Sequence, residues 1–184
     1  MAASQNIRHA ARVLHAGGVI AYPTEGVFGL GCLPDDYEAV SNILAIKARD
    51  QSKGLILIIS DIEQIEDWID VPTTGLNLES PAGNPVTWII PASDDVPVWI
   101  CGEHDSIAVR LTTHPTAIAL CDETDSPLVS TSANISGHPP ARHSLVLRRQ
   151  FSSLVDYIVP GECGPATGPS EIRDYLTGEI VRPA

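Results

Sequence analysis

Val19-Ile20-Ala21-Tyr22-Pro23-Thr24-Glu25-Gly26-Val27-Phe28-Gly29-Leu30-Gly31-Cys32 joins an apolar run to a glycine-spaced segment between two helical patterns. Its first four residues are uninterruptedly apolar, as expected of a short strand buried on both faces. Pro23, which cannot donate to a sheet ladder, ends that strand. The glycines at 26, 29 and 31 then read as a loop. On the N-terminal side, Ile7, Ala10, Ala11, Val13 and Leu14 recur at helical spacing over residues 5–16, and Gly17-Gly18 supplies the stop. On the other side, Pro34 and Asp35 open a helix running to about Ala48, with Ala39, Val40, Ile43, Leu44 and Ile46 on its apolar side.

The same alternation continues. Leu55–Ile59 is a continuous apolar strand, and Ser60-Asp61-Ile62-Glu63 has the spacing of a capping box that starts a helix to about Trp68. Residues 71–85 form a loop rich in Pro, Gly, Thr and Asn. Val86–Ile90, Ile107–Leu111 and Leu128–Thr131 read as strands, and Pro115–Cys121 and Ser144–Phe151 as helices. Tyr157–Val159 is extended, and the tail around Leu176-Thr177-Gly178-Glu179 and Ile180–Arg182 is a hairpin-like return. Interleaved strands and helices predict a layered α/β fold. No linker or repeat divides residues 1–184, so one domain is expected.

The chain has 184 residues, 43% of them hydrophobic and 18% charged, which is globular composition. No apolar run is long enough to cross a bilayer, and Arg8, His9 and Arg12 break up any leader-like segment, so cytoplasmic residence is expected. Cys32, Cys101, Cys121 and Cys163 form no C-x-x-C pair and read as reduced, partly buried thiols. The scattered histidines offer no metal-ligand spacing, so no protein metal site is expected. A net charge of −12 opposes broad attraction to nucleic acid or to an anionic membrane. Against that background the only two lysines, Lys47 and Lys53, bracket Arg49. Such a cluster either complements a helix dipole or holds phosphates.

Several signatures are absent: the Walker P-loop, G-x-G-x-x-G, the G-x-S-x-G elbow and H-E-x-x-H. What remains is a set of polar segments, each beside a predicted strand. They are Tyr22-Pro23-Thr24-Glu25, Lys47-Ala48-Arg49 with Lys53, Ser106-Ile107-Ala108-Val109-Arg110, Ser130-Thr131-Ser132-Ala133-Asn134-Ile135-Ser136-Gly137, and Pro169-Ser170-Glu171-Ile172-Arg173-Asp174 followed by Arg182. The Ser130–Gly137 turn gathers hydroxyls, an amide and backbone N–H groups, either for an anion or ribose or to cap its own backbone. Arg110, at a strand end, either clamps a carboxylate through paired N–H bonds or makes a structural ion pair.

In this order the segments resemble the YrdC/TsaC family of threonylcarbamoyl-AMP synthases. The resemblance runs from about Gly18 to Arg182, on V-I-A-Y-P-T-E-G-V-F-G-L-G-C, K-A-R-x-x-x-K-G-L-I-L-I, S-I-A-V-R-L-T-x-H-P, S-T-S-A-N-I-S-G-H-P-P and P-S-E-I-R-D. It implies the short, single-domain form: a twisted mixed sheet flanked by helices, with a concave central cleft. It also implies an adenylate-forming enzyme. L-threonine and bicarbonate give N-carboxy-threonine, whose carboxylate attacks the α-phosphate of ATP, accompanied by Mg²⁺. Threonylcarbamoyl-AMP and pyrophosphate leave, and a separate transferase complex uses the adenylate to make t6A at adenosine 37 of tRNA.

The resemblance assigns roles by position. Lys47, Arg49, Lys53, Ser106, Ser132, Asn134 and Arg182 fall on ATP, with Lys47 and Arg49 the catalytic pair on the phosphates. Thr24, Arg110, Ser130 and Ser170 fall on threonine. A single copy of the chain is expected to act alone, with weak tRNA binding at most. Two departures from the family stand out. Ala82-Gly83-Asn84-Pro85-Val86-Thr87 replaces W-P-G-P-V-T, and Ile58 stands where some longer relatives carry a histidine. A carbamoyltransferase of hydrogenase maturation shares a similar domain but adds zinc-finger and acylphosphatase segments. Positioned cations suit this chemistry, because a carbamate is already anionic and needs no protein nucleophile.

Overall fold

Tyr22 and the two glycines opposite it set the first hairpin. In the computed structural model, which describes residues 2–80, 85–135 and 137–183, β1 (Ile20–Pro23) pairs antiparallel with β2 (Phe28–Gly31). The glycine-spaced stretch expected to be loop is therefore a strand from Phe28 onward. Its glycines serve packing: a Cβ on Gly31 would stand 2.6 Å from the Val129 carbonyl oxygen and 2.8 Å from the Tyr22 ring, and one on Gly29 would stand 3.4 Å from that ring. Glycine here lets a fully buried tyrosine lie across the hairpin. Pro23 is the last residue of β1, so the strand ends where expected.

The hairpin sits within a nine-stranded mixed sheet of order β7-β1-β2-β6-β3-β5-β4-β8-β9. Its other strands are β3 (Ile56–Ile59), β4 (Val86–Pro91), β5 (Ser106–Leu111), β6 (Leu128–Ser132), β7 (Tyr157–Ile158), β8 (Glu171–Asp174) and β9 (Ile180–Arg182). Helices α1 (Ala2–His15), α2 (Tyr37–Lys47), α3 (Val98–Cys101), α4 (Pro115–Thr124) and α5 (Ser144–Phe151) flank it. The expected mixed α/β sheet is present, and the tail is the antiparallel return β8–β9. Ser170 ends just before β8, so the last polar segment is mostly strand.

Local chemistry shifts some boundaries. Asp36 caps α2 by accepting from the Ala39 amide, so that helix begins at Tyr37 and not at Pro34. The capping box is one residue later than expected: Asp61 and Gln64 form it, and the turn of Ile62–Trp68 is 3₁₀. The four-residue α3 was not foreseen; it is too short for a periodic signal. Residues 82–84, where the family's W-P-G-P differs, and Ser136 lie outside the described residues.

Strand side chains alternate between faces, and the two faces have different covers. Leu57, Ile59, Val109, Val129 and Ile90 join Ala39, Val40, Ile43 and Leu44 of α2 in one core. Ala21, Leu30 and Phe28 pack with Leu147 and Phe151 of α5. On the other face, Ile58 and Leu128 lie buried with Tyr22 against Ala10 and Leu14 of α1 and Ala117, Leu120 and Cys121 of α4. Two residues along the same rows, Ile56 and Ser130 line a cleft. The site lies beside the part of this face that α1 and α4 cover.

No helix among the described residues is long and apolar enough to cross a membrane. All four cysteines are free thiols, as expected; Cys32 and Cys121 are buried. Burial pushes the Cys121 thiol up to about 12.

Candidate active site

The cleft encloses about 340 Å³, within the range of small-molecule sites. Its floor is apolar, formed by Leu55, Ile56, Ile89, Ile100, Ala108 and Ile172, and polar groups converge on it from five chain segments. Thr24, Arg49, Lys53, Ser106, Arg110, Ser130, Ser132, Ser170 and Arg182 all line it. Thr24 and Arg182, far apart in sequence and carried by strands near opposite edges of the sheet, line the same cleft.

One end is strongly cationic, and the backbone there explains why. Helix α2 closes with Ala48 in the left-handed region, φ 46° and ψ 46°, a conformation a non-glycine residue adopts at a cost of roughly 1–2 kcal/mol. The Ala48 amide donates to Ala45 and Leu44, and the Arg49 amide donates to the Leu44 carbonyl at 3.0 Å. This turn separates Lys47 from Arg49. Arg49 swings into the cleft, where its Nη2 donates to the Gly54 carbonyl at 2.9 Å and its buried Nε has no partner. Arg182 donates from Nη2 to the Ser170 carbonyl at 2.8 Å. Burial, and then the charge of Arg182, lower Arg49 from the usual arginine value. Among the described residues, carboxylates stand within 4.0 Å of Arg110 and Arg173 only. Among the described residues, Arg49, Lys53 and Arg182 thus line one space with no carboxylate within 4.0 Å, and only Lys53 has an acidic neighbour, Asp50, near enough for the charges to interact. That arrangement favours an anion.

Lys47 points elsewhere. Its ammonium donates to the Ser132 carbonyl at 2.5 Å, the Asn134 carbonyl at 3.0 Å and Asn134 Oδ1 at 3.0 Å, which uses all three of its N–H bonds. Ser132 also donates its hydroxyl to Asn134 Oδ1 at 2.6 Å. Toward the cleft Ser132 therefore presents an oxygen acceptor. Lys47 is 6% exposed, and burial followed by the Arg49 charge lowers it to about 8. Lys47 and Asn134 stand behind the cleft wall and shape the Ser132–Asn134 turn.

The other end is neutral on balance. Arg110 lies inside β5 rather than at its end, and its Nη2 is 3.7 Å from Glu25 Oε2. Ser130, Ser170 and Thr24 add hydroxyls to the lining of the same cleft. Thr24 donates to the Val27 carbonyl at 2.7 Å, and Ser170 shares a hydrogen bond with buried Thr87 at 2.8 Å. The two sequence readings of Arg110 thus coexist: it is ion-paired and it faces the cleft.

The family profile described as "Telomere recombination", which covers Sua5, YciO and YrdC proteins, matches residues 12–184. The chain belongs to this family. A threonylcarbamoyl-AMP synthase of Nitrosococcus oceani is 51% identical over 179 residues, covering 96% of both chains, and one of Cellvibrio japonicus is 46% identical over 97% of this chain and 95% of its own. Among solved structures, P. abyssi Sua5 complexed with L-threonine is 31% identical with a TM-score of 0.88; the alignment covers 98% of this chain and 54% of that one. The chain thus spans about half the length of that Sua5 protein.

Membership in the Sua5/YciO/YrdC family accounts for the conjunction of segments but not for every lining residue. Glu25, Cys101, His104, Ala166 and Gly168 also line the cleft and had no role in the sequence reading. Glu25 was in plain view beside Thr24; only its distance from Arg110 reveals its partner. Residues 164–166 reach the wall because the Gly164 and Ala166 amides donate to the Thr24 and Glu25 carbonyls, both at 2.9 Å. Ile58, where some longer relatives place a histidine, is fully buried away from the cleft, and its carbonyl accepts from the Cys121 thiol at 3.7 Å.

Proposed function

We propose that the chain is a threonylcarbamoyl-AMP synthase, forming the adenylate and pyrophosphate from L-threonine, bicarbonate and ATP. One observation carries this reading. Among the described residues, a single cleft has three cations with no carboxylate within 4.0 Å at one end and an arginine paired with Glu25 at the other. A triphosphate suits the first end and a zwitterionic amino acid the second. The named relatives support the same pairing.

In this reading Arg49, Lys53 and Arg182 hold the ATP phosphates, and the Ser132 oxygen accepts from a ribose hydroxyl. Ser106 meets the nucleotide along the β5 edge. Arg110 pairs with the threonine carboxylate, and Thr24, Ser130 and Ser170 bracket its polar groups. Lys47 supports the phosphates through the turn it holds, and Asn134 acts with it. The carbamate oxygen of N-carboxy-threonine forms a bond to the α-phosphorus as the bond to pyrophosphate breaks. Negative charge moves onto pyrophosphate, where fixed cations stabilise it without reorganising. Mg²⁺ enters with ATP as part of that substrate. Among the described residues the only carboxylate lining the cleft, Glu25, is already paired with Arg110.

The adenylate passes to a separate t6A transferase complex in the cytoplasm. The −12 charge disfavours tRNA as a tight partner of this chain. One copy, built as one domain over residues 1–184, is expected to act alone, since the residues proposed to touch ATP and threonine line a single cleft. The test is incubation with ATP, Mg²⁺, bicarbonate and threonine, following adenylate and pyrophosphate. Product that requires both threonine and bicarbonate is expected; no product would defeat the assignment.

A further inference from the structure

We propose that Glu25 is a positioning and selectivity residue: its carboxylate aims the Arg110 guanidinium and cancels its charge, so that this end of the cleft takes an amino-acid carboxylate and rejects phosphate. This rests on the reading of Arg110 given above.

Glu25 is 8% exposed and is held from two directions. Its Oε1 accepts from Thr112 Oγ1 at 2.6 Å and from the Thr113 amide at 3.0 Å. Oε2 is left facing Arg110 Nη2 at 3.7 Å, and neither Oε2 nor Arg110 Nε has a hydrogen-bond partner. The segment that carries the arginine thus also carries the clamps for its counter-ion. Thr112 is itself fixed, because its amide donates to the Ile59 carbonyl at 2.9 Å. The backbone around Glu25 is pinned by the bonds from Gly164 and Ala166. A carboxylate held this firmly has little freedom to follow Arg110, so Arg110 must settle against it.

A free guanidinium binds phosphate as readily as carboxylate. In a cleft meant for both a triphosphate and an amino acid, an unpaired Arg110 would attract the wrong group. With Glu25 ionised, the net charge at this end is zero, and what remains is the directional fork of N–H donors suited to a planar carboxylate. Arg49, Lys53 and Arg182 keep their charge. The difference sorts two anions within one cavity.

The test is calorimetric titration of inorganic phosphate into the protein without nucleotide or amino acid. Glu25→Gln keeps an acceptor for Thr112 and Thr113 but removes the charge. Wild-type phosphate binding is expected to be indifferent to Arg110→Ala. Glu25→Gln is expected to gain a second phosphate site, at least about tenfold tighter than any wild-type binding there, and the Glu25→Gln/Arg110→Ala double variant to lose it. Glu25→Asp, which keeps the charge but shortens its reach, gains no such site yet raises the threonine KM. A folded Glu25→Gln with no second site, or a second site that survives Arg110→Ala, would overturn the proposal. If Glu25→Gln does not fold, Thr112→Val serves instead. It is expected to raise the threonine KM several-fold with the ATP KM within about twofold; an equal rise in both would overturn it. Phosphate binding needs no turnover, so failure to make adenylate would count against the functional reading alone.

Discussion

The two ends of the cleft use the same kind of cation and differ in what stands beside it. Arg49 and Arg182 lean on backbone carbonyls, of Gly54 and Ser170, and share their space with Lys53 and, among the described residues, no carboxylate within 4.0 Å. Arg110 lies against Glu25. A carbonyl orients a guanidinium and leaves its charge intact; a carboxylate orients it and removes the net charge. The first arrangement suits a polyanion, and the second suits a group already balanced by its own ammonium. A residue's type therefore says little about its ligand until its counter-ion is known.

The largest effect expected from disturbing this contrast is at the cationic end. Arg49→Ala should lower turnover by roughly 10²–10³, by analogy with losing an oxyanion-hole donor, measured as pyrophosphate release. A near-wild-type rate would remove Arg49 from the reaction.

A second, smaller effect follows from Lys47, whose ammonium burial and Arg49 bring down to about 8. Between that pH and the ordinary lysine value the unfolded chain holds the extra proton, so conformational stability rises with pH across the window. What declines is the positive charge behind the Ser132–Asn134 turn. The kcat/KM for ATP is expected to fall above about pH 8. Bound triphosphate favours the charged form and should move the corresponding fall in kcat to higher pH. A kcat/KM profile that stays level well above that pH would separate Lys47 from nucleotide binding. The smallest effect belongs to Lys53, which is exposed at the rim. Lys53→Ala should raise the ATP KM only a few-fold, and less at high salt, because exposed charges are screened.

The sequence made the sheet legible where runs were long and apolar, as at Leu55–Ile59, and failed where glycine served packing. Phe28–Gly31 looks like a loop because the partner that demands glycine, the Tyr22 ring, crosses from the neighbouring strand. The cleft residues were legible through motif order, since most of the residues singled out do line one cavity. Lys47 was not fully legible: nothing local says that Ser132 and Asn134, far along the chain, take up its ammonium. Nor was Glu25, because a carboxylate's partner is a tertiary fact. The stretch from Val19 to Cys32 thus supplies a strand hairpin and, in the turn between its strands, the acid paired with Arg110.

The division of the cleft is measured most directly by equilibrium binding of ATP and of threonine to Arg49→Ala and Arg110→Ala, side by side. A crossover is expected. Arg49→Ala should weaken ATP and spare threonine; Arg110→Ala should weaken threonine about 10–100-fold, the worth of a charge-assisted bond, and spare ATP. Both variants weakening both ligands to the same degree would contradict it.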